Sequence, residues 1–351
     1  MEGALRGRLP SLAHCVRMFD ERGMVQFANG DAPDRSSGYC TDDNARALLV
    51  AVNARALEKD NRAAIRIGEG ALAFLERAQL PDGRFRNTAD QTGSFLVGDG
   101  ARSEDADGRA IWALGVTIRR GPESAWQARA GALLERAWTA ARALRSCQSR
   151  AHALLGAVAC ATRSETACDA AYDLAEKLAD QYDAVALPDW PWWQPVLTWA
   201  CARAPHAMLR AAAFTRSARH RECGLRSLGF LASVTQPGDI FAPIGNKGWY
   251  ARGGARAHYD QQPIEANAMV NAWLAAADVT GERRYRRRAH QAFGWFFGAN
   301  SEGRTVARPD VGGCCDGLSA DGVNHNMGAE STLSYLLAHL AVARDARGLP
   351  A

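Results

Sequence analysis

The chain has 351 residues, 47% of them apolar and 23% charged, with 42 Lys or Arg against 38 Asp or Glu for a formal net charge of +4. That size supports a large core in one domain or two. No run approaches the ~20 apolar residues of a membrane span, and no block of five like charges marks a nucleic-acid surface. Arg286-Arg287-Arg288 and the basic stretch 216–221 read as solvated helix faces. The nine cysteines form no CxxC pair, and residues 1–10 lack the apolar core of a signal peptide, so reduced thiols and a cytoplasmic setting are expected.

A first helix is predicted over 10–21 with Leu12, Val16 and Phe19 inward, then a short extended piece at 23–27. A loop at 29–38 delivers Tyr39-Cys40-Thr41-Asp42-Asp43-Asn44, with Thr41 as the expected N-cap and acids suited to the positive end of the helix dipole. The helix so opened carries Ala45, Leu48, Leu49, Val52 and Ala56 on one stripe, and a partner follows over 62–79. A Gly-rich loop at 93–100 precedes Ser103-Glu104-Asp105-Ala106-Asp107-Gly108-Arg109, where Glu104 and Asp107 head the stripe of Ile111, Leu114 and Ile118. Its partner runs from Pro122 to about Arg145, and 149–162 with 165–182 make a third pair. Asp189-Trp190-Pro191-Trp192-Trp193-Gln194 is expected to open a fourth inner helix, with a partner within 205–235 broken near Arg216.

A Gly/Pro-rich loop at 236–250 then leads to Asp260-Gln261-Gln262-Pro263-Ile264-Glu265-Ala266-Asn267. Pro263 occupies the first helical position, where its missing N–H costs nothing. Glu265 shares a face with Ala268, Met269, Ala272 and Ala276, and the helix pairs with 282–300. The last helix, 327–344, repeats the arrangement: Glu330 is in phase with Leu333, Leu337 and Leu340. An inward carboxylate in the first turn of a core helix is either paired or part of a site.

Helices headed by such loops start near 42, 105, 150, 192, 264 and 329, each with a plainer partner. Six hairpins with almost no strand signal predict an all-α (α/α)6 toroid, one domain over 1–351 with short β-like loops at one mouth. The first helix supplies the outer partner of the last inner one. All six inner N-termini then open on that mouth. It collects the acids Asp42, Asp43, Glu104, Asp105, Asp107, Asp260, Glu265 and Glu330, and the bases Arg46 and Arg109. With them come the amides Gln261, Gln262, Asn324 and Asn326 and the rings of Trp190, Trp192, Trp193 and Tyr250. Amides and acids bind sugar hydroxyls, aromatic faces stack on a pyranose, and two carboxyls can act on a glycosidic bond. His258 and His325 stand near the motifs without metal-ligand spacing, so no metal and no cofactor are expected.

The stretches Gly38-Tyr39-Cys40-Thr41-Asp42-Asp43-Asn44-Ala45-Arg46-Ala47-Leu48, Pro243-Ile244-Gly245-Asn246 and Gly313-Cys314-Cys315-Asp316-Gly317-Leu318, together with the two Glu-bearing helix starts, resemble a bacterial family of (α/α)6-toroid carbohydrate domains. Its members occur alone or behind family-4-type glycosyltransferase domains. The resemblance spans Phe19 to Leu340 and implies the toroid, a saccharide as substrate or ligand, and a glycosyltransferase as a partner. It leaves the reaction open, since similar toroids serve glycoside hydrolases, sugar 2-epimerases and lyases. One departure stands out: Gln194 occupies a position where the family pattern carries Glu.

Three readings follow. The leading one is a glycoside hydrolase with Glu265 and Glu330 as the acid–base pair and Asp105 or Glu104 as alternates. Asp42 with Arg46 and Asp105 with Arg109 are equally readable as i, i+4 structural pairs. The second is a sugar epimerase or isomerase, for which His258 and His325 are the available bases. The third is a non-catalytic saccharide-binding module accompanying a glycosyltransferase, which Gln194 favours.

Overall fold

The computed structural model describes residues 8–98 and 101–349; the stretch 1–7, positions 99–100 of the Gly-rich loop and positions 350–351 lie outside the described residues. Among the described residues, six inner helices form a closed ring. They are α2 (Thr41–Leu57), α4 (Glu104–Arg120), α6 (Cys147–Cys160), α8 (Arg203–Thr215), α10 (Pro263–Thr280) and α12 (Ala329–Ala346). Each packs on the next, and α12 closes the circle on α2. Around them lie α1 (Ala13–Arg17), α3 (Arg62–Ala78), α5 (Ser124–Ala143), α7 (Glu165–Val185), α9 (Ala218–Thr235) and α11 (Arg283–Gly294). The fold is an (α/α)6 toroid.

Sequence separates the two rings. Outer α3 buries one face, Ala64, Ile67, Ala71, Leu72, Leu75 and Ala78, at helical spacing. Inner α10 is buried without interruption from Pro263 to Val270 and again from Ala272 to Ala277, because it meets two inner neighbours and an outer partner. Among the described residues, no helix is long and apolar enough to cross a membrane.

Short strands sit on the loops above the inner N-termini. The chain reverses at Gly30 (φ 60°) so that β1 (Val25–Asn29) pairs antiparallel with β2 (Ala32–Cys40), and β2 pairs in turn with β3 (Thr88–Ala89). The turn-rich composition of 29–38 concealed β2. Further two-stranded ribbons join β4 (Val196–Leu197) to β5 (Tyr250–Ala251), β6 (Ala307–Arg308) to β7 (Gly313–Cys314), and β8 (Gly317–Ser319) to β9 (Gly322–Asn324).

Two predicted elements move. The first helix is only Ala13–Arg17, because the chain turns at Asp20–Gly23 and bridges Phe19 to Met24. The fourth inner helix begins at Arg203, not near Trp192: Pro191 and Pro195 keep the preceding stretch irregular, and the segment after the left-handed Arg216 (φ 58°) is its outer partner α9. The N-cap of α2 also falls one residue before Thr41. Cys40 caps the helix, its sulfur accepting from Asp43 N at 3.4 Å, while Thr41 Oγ1 donates to Arg86 O at 2.6 Å.

The α4–α6 crossing is closed by glycine. A Cβ on Gly156 would stand 2.3 Å from Ile111 O, and one on Gly115 2.2 Å from Gly156 O. Gly156→Ala therefore forces two inner helices apart and is expected to cost about 3 kcal/mol in denaturant unfolding. Gly131→Ala on outer α5, where a Cβ meets nothing within 4 Å, should instead stabilise by ~0.5–1 kcal/mol.

Candidate functional site

The start of α2 is fixed from three sides. Asn44 Oδ1 accepts from Met24 N at 3.1 Å and its Nδ2 donates to Cys40 O at 2.8 Å, tying the β1–β2 hairpin to the helix. Thr41 holds the loop that follows α3. Asp42, Asp43 and Arg46 are thereby placed at the mouth, where unpaired helix N–H groups and the dipole favour carboxylates.

Two buried arginines organise the acids. Arg46 Nη1 donates to Asp43 Oδ1 at 2.8 Å, and its Nη2 reaches the neighbouring α12 to donate to Glu330 Oε2 at 2.7 Å. Arg109 Nε lies 3.1 Å from Asp105 Oδ2 and 3.3 Å from Asp42 Oδ1, with its guanidinium 5.3 Å from the ring of Trp199. So Arg109 is shared by two carboxylates. Burial opposes charge on both, but Asp105 has the closer guanidinium contact and His152 Nδ1 at 3.3 Å besides, which hold it well below the usual carboxylate range. Asp42 is the one left to protonate: burial pushes it up to about 6 against the pull of Arg109. His152 is driven down to about 3 by burial and then by Arg109, so it is a neutral imidazole, stacked on Trp112 with ring centroids 5.7 Å apart.

Above these groups opens a cavity of about 620 Å³. Asp42, Asp43, Asp260, Asp316 and Glu330 line it, with Arg46 as the one guanidinium among the described residues there. Asn246, Gln262 and Asn324 add amides, Ser319 and Ser331 hydroxyls, and Phe27 an aromatic face that is 62% exposed. The Glu330 side chain is 41% exposed, so its outer oxygen is open to a ligand while Arg46 holds the other. Asp316 is raised by burial, against the Gly328 N–H that donates to its Oδ1 at 2.9 Å and a bond from Ser331.

Several residues expected at the mouth do other work. Glu265 is buried and outside this cavity; its carboxylate accepts from the backbone N–H groups of Ala200 and, at 3.3 Å, Cys201, and burial raises it to about 7. It fixes the loop entering α8. Glu104 Oε2 accepts from Arg145 N and Ser146 N, both at 2.9 Å, bracing the start of α6. Asp107 accepts from Phe85 N at 2.6 Å under the loop after α3. Gln261 is buried among Trp295 Nε1, Ser301 Oγ and His258 O, and Asn326 Oδ1 accepts from Gly30 N at 3.0 Å.

The indoles are also relocated. Trp192 and Trp193 are 2% and 1% exposed and so cannot act as platforms. Trp193 Nε1 donates to Leu178 O at 2.8 Å and stands edge-on to Tyr182, and Trp192 packs against Trp193 and Phe230. Tyr250 lies on β5, its ring 5.2 Å from that of Trp190. Gln194 accepts from Gln148 Nε2 at 3.4 Å and does not line the cavity. His258 and His325 are exposed and line no part of it either.

Sequence reasoning missed Asp316, Phe27 and His152 as site residues. Asp316 lies inside the Gly313–Leu318 stretch as a lone acid between a cysteine and a glycine. Phe27 offers a local signal for a platform, an aromatic at an exposed position of a short strand. His152 sits mid-stripe on α6 and reads as core.

No protein-family model and no curated relative matches the sequence. Solved structures do match its backbone. A sugar epimerase from a ruminal bacterium superposes with a TM-score of 0.73 at 13% identity, over 99% of both chains. Cellobiose 2-epimerase from Spirochaeta thermophila gives 0.73 at 11%, over 99% of this chain and 97% of that one. An α-1,6-mannanase from Salegentibacter gives 0.61 at 12%, over 98% and 99%. At such identities the likeness is one of fold, and it agrees with the (α/α)6 toroid.

Asp107 provides a pH test of the mouth's supports. Burial raises its folded pKa from 3.8 to about 7, so the folded chain keeps a proton that the unfolded chain releases. Its stabilising contribution is complete below 3.8 and is lost as pH rises through about 7. Asp107→Asn keeps the oxygen that accepts from Phe85 N but cannot ionise. Its Tm should decline less than wild type between about pH 4 and pH 8; parallel curves would refute the assignment.

Proposed function

We propose that the protein is a saccharide-directed enzyme that cleaves a glycosidic bond by acid–base catalysis at the acidic mouth. The observation that carries this reading is the pairing, in one 620 Å³ polar cavity, of a carboxyl raised to about 6, Asp42, with a salt-bridged and half-exposed carboxylate, Glu330. In this reading Asp42 protonates the leaving oxygen and Glu330 activates water or attacks the anomeric carbon. Phe27 stacks on a sugar face, while Asp260, Asp316, Asn246, Gln262 and Asn324 receive its hydroxyls. The acid role thus passes from Glu265, which backbone N–H groups occupy, to Asp42. Epimerisation needs a base facing the substrate carbon, and with no histidine among the described residues lining the cavity that role would fall to a carboxylate. The resemblance also implies a glycosyltransferase partner, which co-purification from a native host would test.

Purified protein should release sugar from β-linked gluco- or manno-oligosaccharides. Asp42→Asn and Glu330→Gln should each lower kcat about 10²–10⁴-fold. Asp42→Asn should leave Tm nearly unchanged, whereas Glu330→Gln, which removes a charge from the bond to buried Arg46, should also lower Tm. The wild-type rate should fall as pH rises through about 6, as Asp42 loses its proton. Recovery of an epimer would support an epimerase instead, and calorimetric binding without turnover a binding module. Phe27→Ala should raise KM about 3- to 10-fold and leave kcat nearly unchanged.

A further inference from the structure

At the opposite end of the ring, the inner helices enclose a second cavity of about 120 Å³. That is far below the size of a sugar or drug-sized pocket and suits a small ion or a single group. Guanidiniums dominate its polar lining, beside the amides of Asn53, Asn267 and Asn271 and the His206 imidazole, and Asn53 Oδ1 accepts from Arg120 Nη1 at 3.1 Å. Arg119 and Arg120 of α4, Arg210 of α8 and Arg344 of α12 converge with Asn267 and Asn271 of α10, and no aspartate or glutamate lines it among the described residues. Trp112 separates it from the mouth, carrying His152 on its face and the Arg203 guanidinium 4.5 Å from its ring.

Helix dipoles account for part of this. Arg119, Arg120 and Arg344 lie in last turns, where a cation offsets the partial negative charge of the helix end. They do not account for Asn267 or Arg210, both inside their helices. Asn267 is 2% exposed; its Oδ1 accepts from Arg203 Nη2 at 3.0 Å, while its Nδ2 has no hydrogen-bond partner among the described residues and borders the cavity. A buried N–H left without an acceptor costs stability unless something fills the gap. Arg210 bonds Asp278 at 2.9 Å, but Arg286 draws on the same carboxylate at 3.3 Å. Burial and then the neighbouring guanidiniums Arg344, Arg119 and Arg210 push Arg120 down to about 9.

We propose that this cavity binds an oxyanion, phosphate or the phosphoryl group of a small metabolite, held by the arginines and by Asn267 Nδ2. It is separate from the acidic mouth, so its occupancy adjusts the ring from below without competing with saccharide.

The test is a titration of the full chain with sodium phosphate at constant ionic strength, following Tm and heat of binding, with glucose 6-phosphate as a second arm. Wild type should show a saturable rise in Tm. Asn267→Asp keeps the acceptor for Arg203 but removes the free N–H and places a negative charge in the cavity; Arg119→Gln alters only an exposed side chain. Each should weaken binding about tenfold, while Asp42→Asn at the mouth should leave it intact. Equal affinity for both probes would assign a free oxyanion, and tighter binding of the sugar phosphate would assign a metabolite's phosphoryl group. A Tm response that does not saturate, or one that survives in both cavity variants, would overturn the proposal.

Discussion

Six helix N-termini converge on one mouth, and their unpaired N–H groups and partial positive charges draw carboxylates to it. Carboxylates so crowded repel one another unless cations stand between them, and Arg46 and Arg109 are those cations. Arg46, held within α2 by Asp43, spans the seam where the ring closes and links α2 to α12 through Glu330. Arg109 joins α4 to α2 by sharing itself between Asp105 and Asp42. Both guanidiniums are buried, so the acids feel them in a medium of low polarity, where the pairs are strong and their geometry is rigid. Burial raises Asp42 to about 6, and Arg109, which it shares with the more closely bonded Asp105, pulls it down only in part, while Asp105 is held well below the usual carboxylate range.

The ring was legible because its period is. Polar helix starts recurring along the chain, each answered by a helix with one apolar face, leave few other ways to bury every stripe. The inner helix that was misplaced shows the limit: Trp190, Trp192 and Trp193 look like the head of a helix, yet Pro191 and Pro195 deny it regular bonds, and the indoles fill the space between α7 and α9 instead. Which acids face the cavity was less legible. Glu265 and Glu330 both stand in the first turn of their helices, but the loop before α8 folds over Glu265 and consumes both its oxygens, whereas Glu330 stays half-exposed. That difference lies in a segment 65 residues away along the chain, and no local pattern reports it.

The two ends of the ring differ for one reason. Parallel inner helices present donors and positive partial charge at the mouth and carbonyls at the base, so the mouth is settled by acids and the base by arginines. Trp112, with Arg203 and His152 against it, forms the partition between them. The partly exposed Asp42 and the half-exposed Glu330 both lie above that partition, lining the same cavity.

A structure of the protein with an oligosaccharide bound bears most directly on this account. It should place a glycosidic oxygen within hydrogen-bond reach of Asp42, the anomeric carbon toward Glu330 and a sugar face against Phe27. A saccharide seated elsewhere on the ring, or one in the cavity with Asp42 turned away from it and still bound to Arg109, would contradict it.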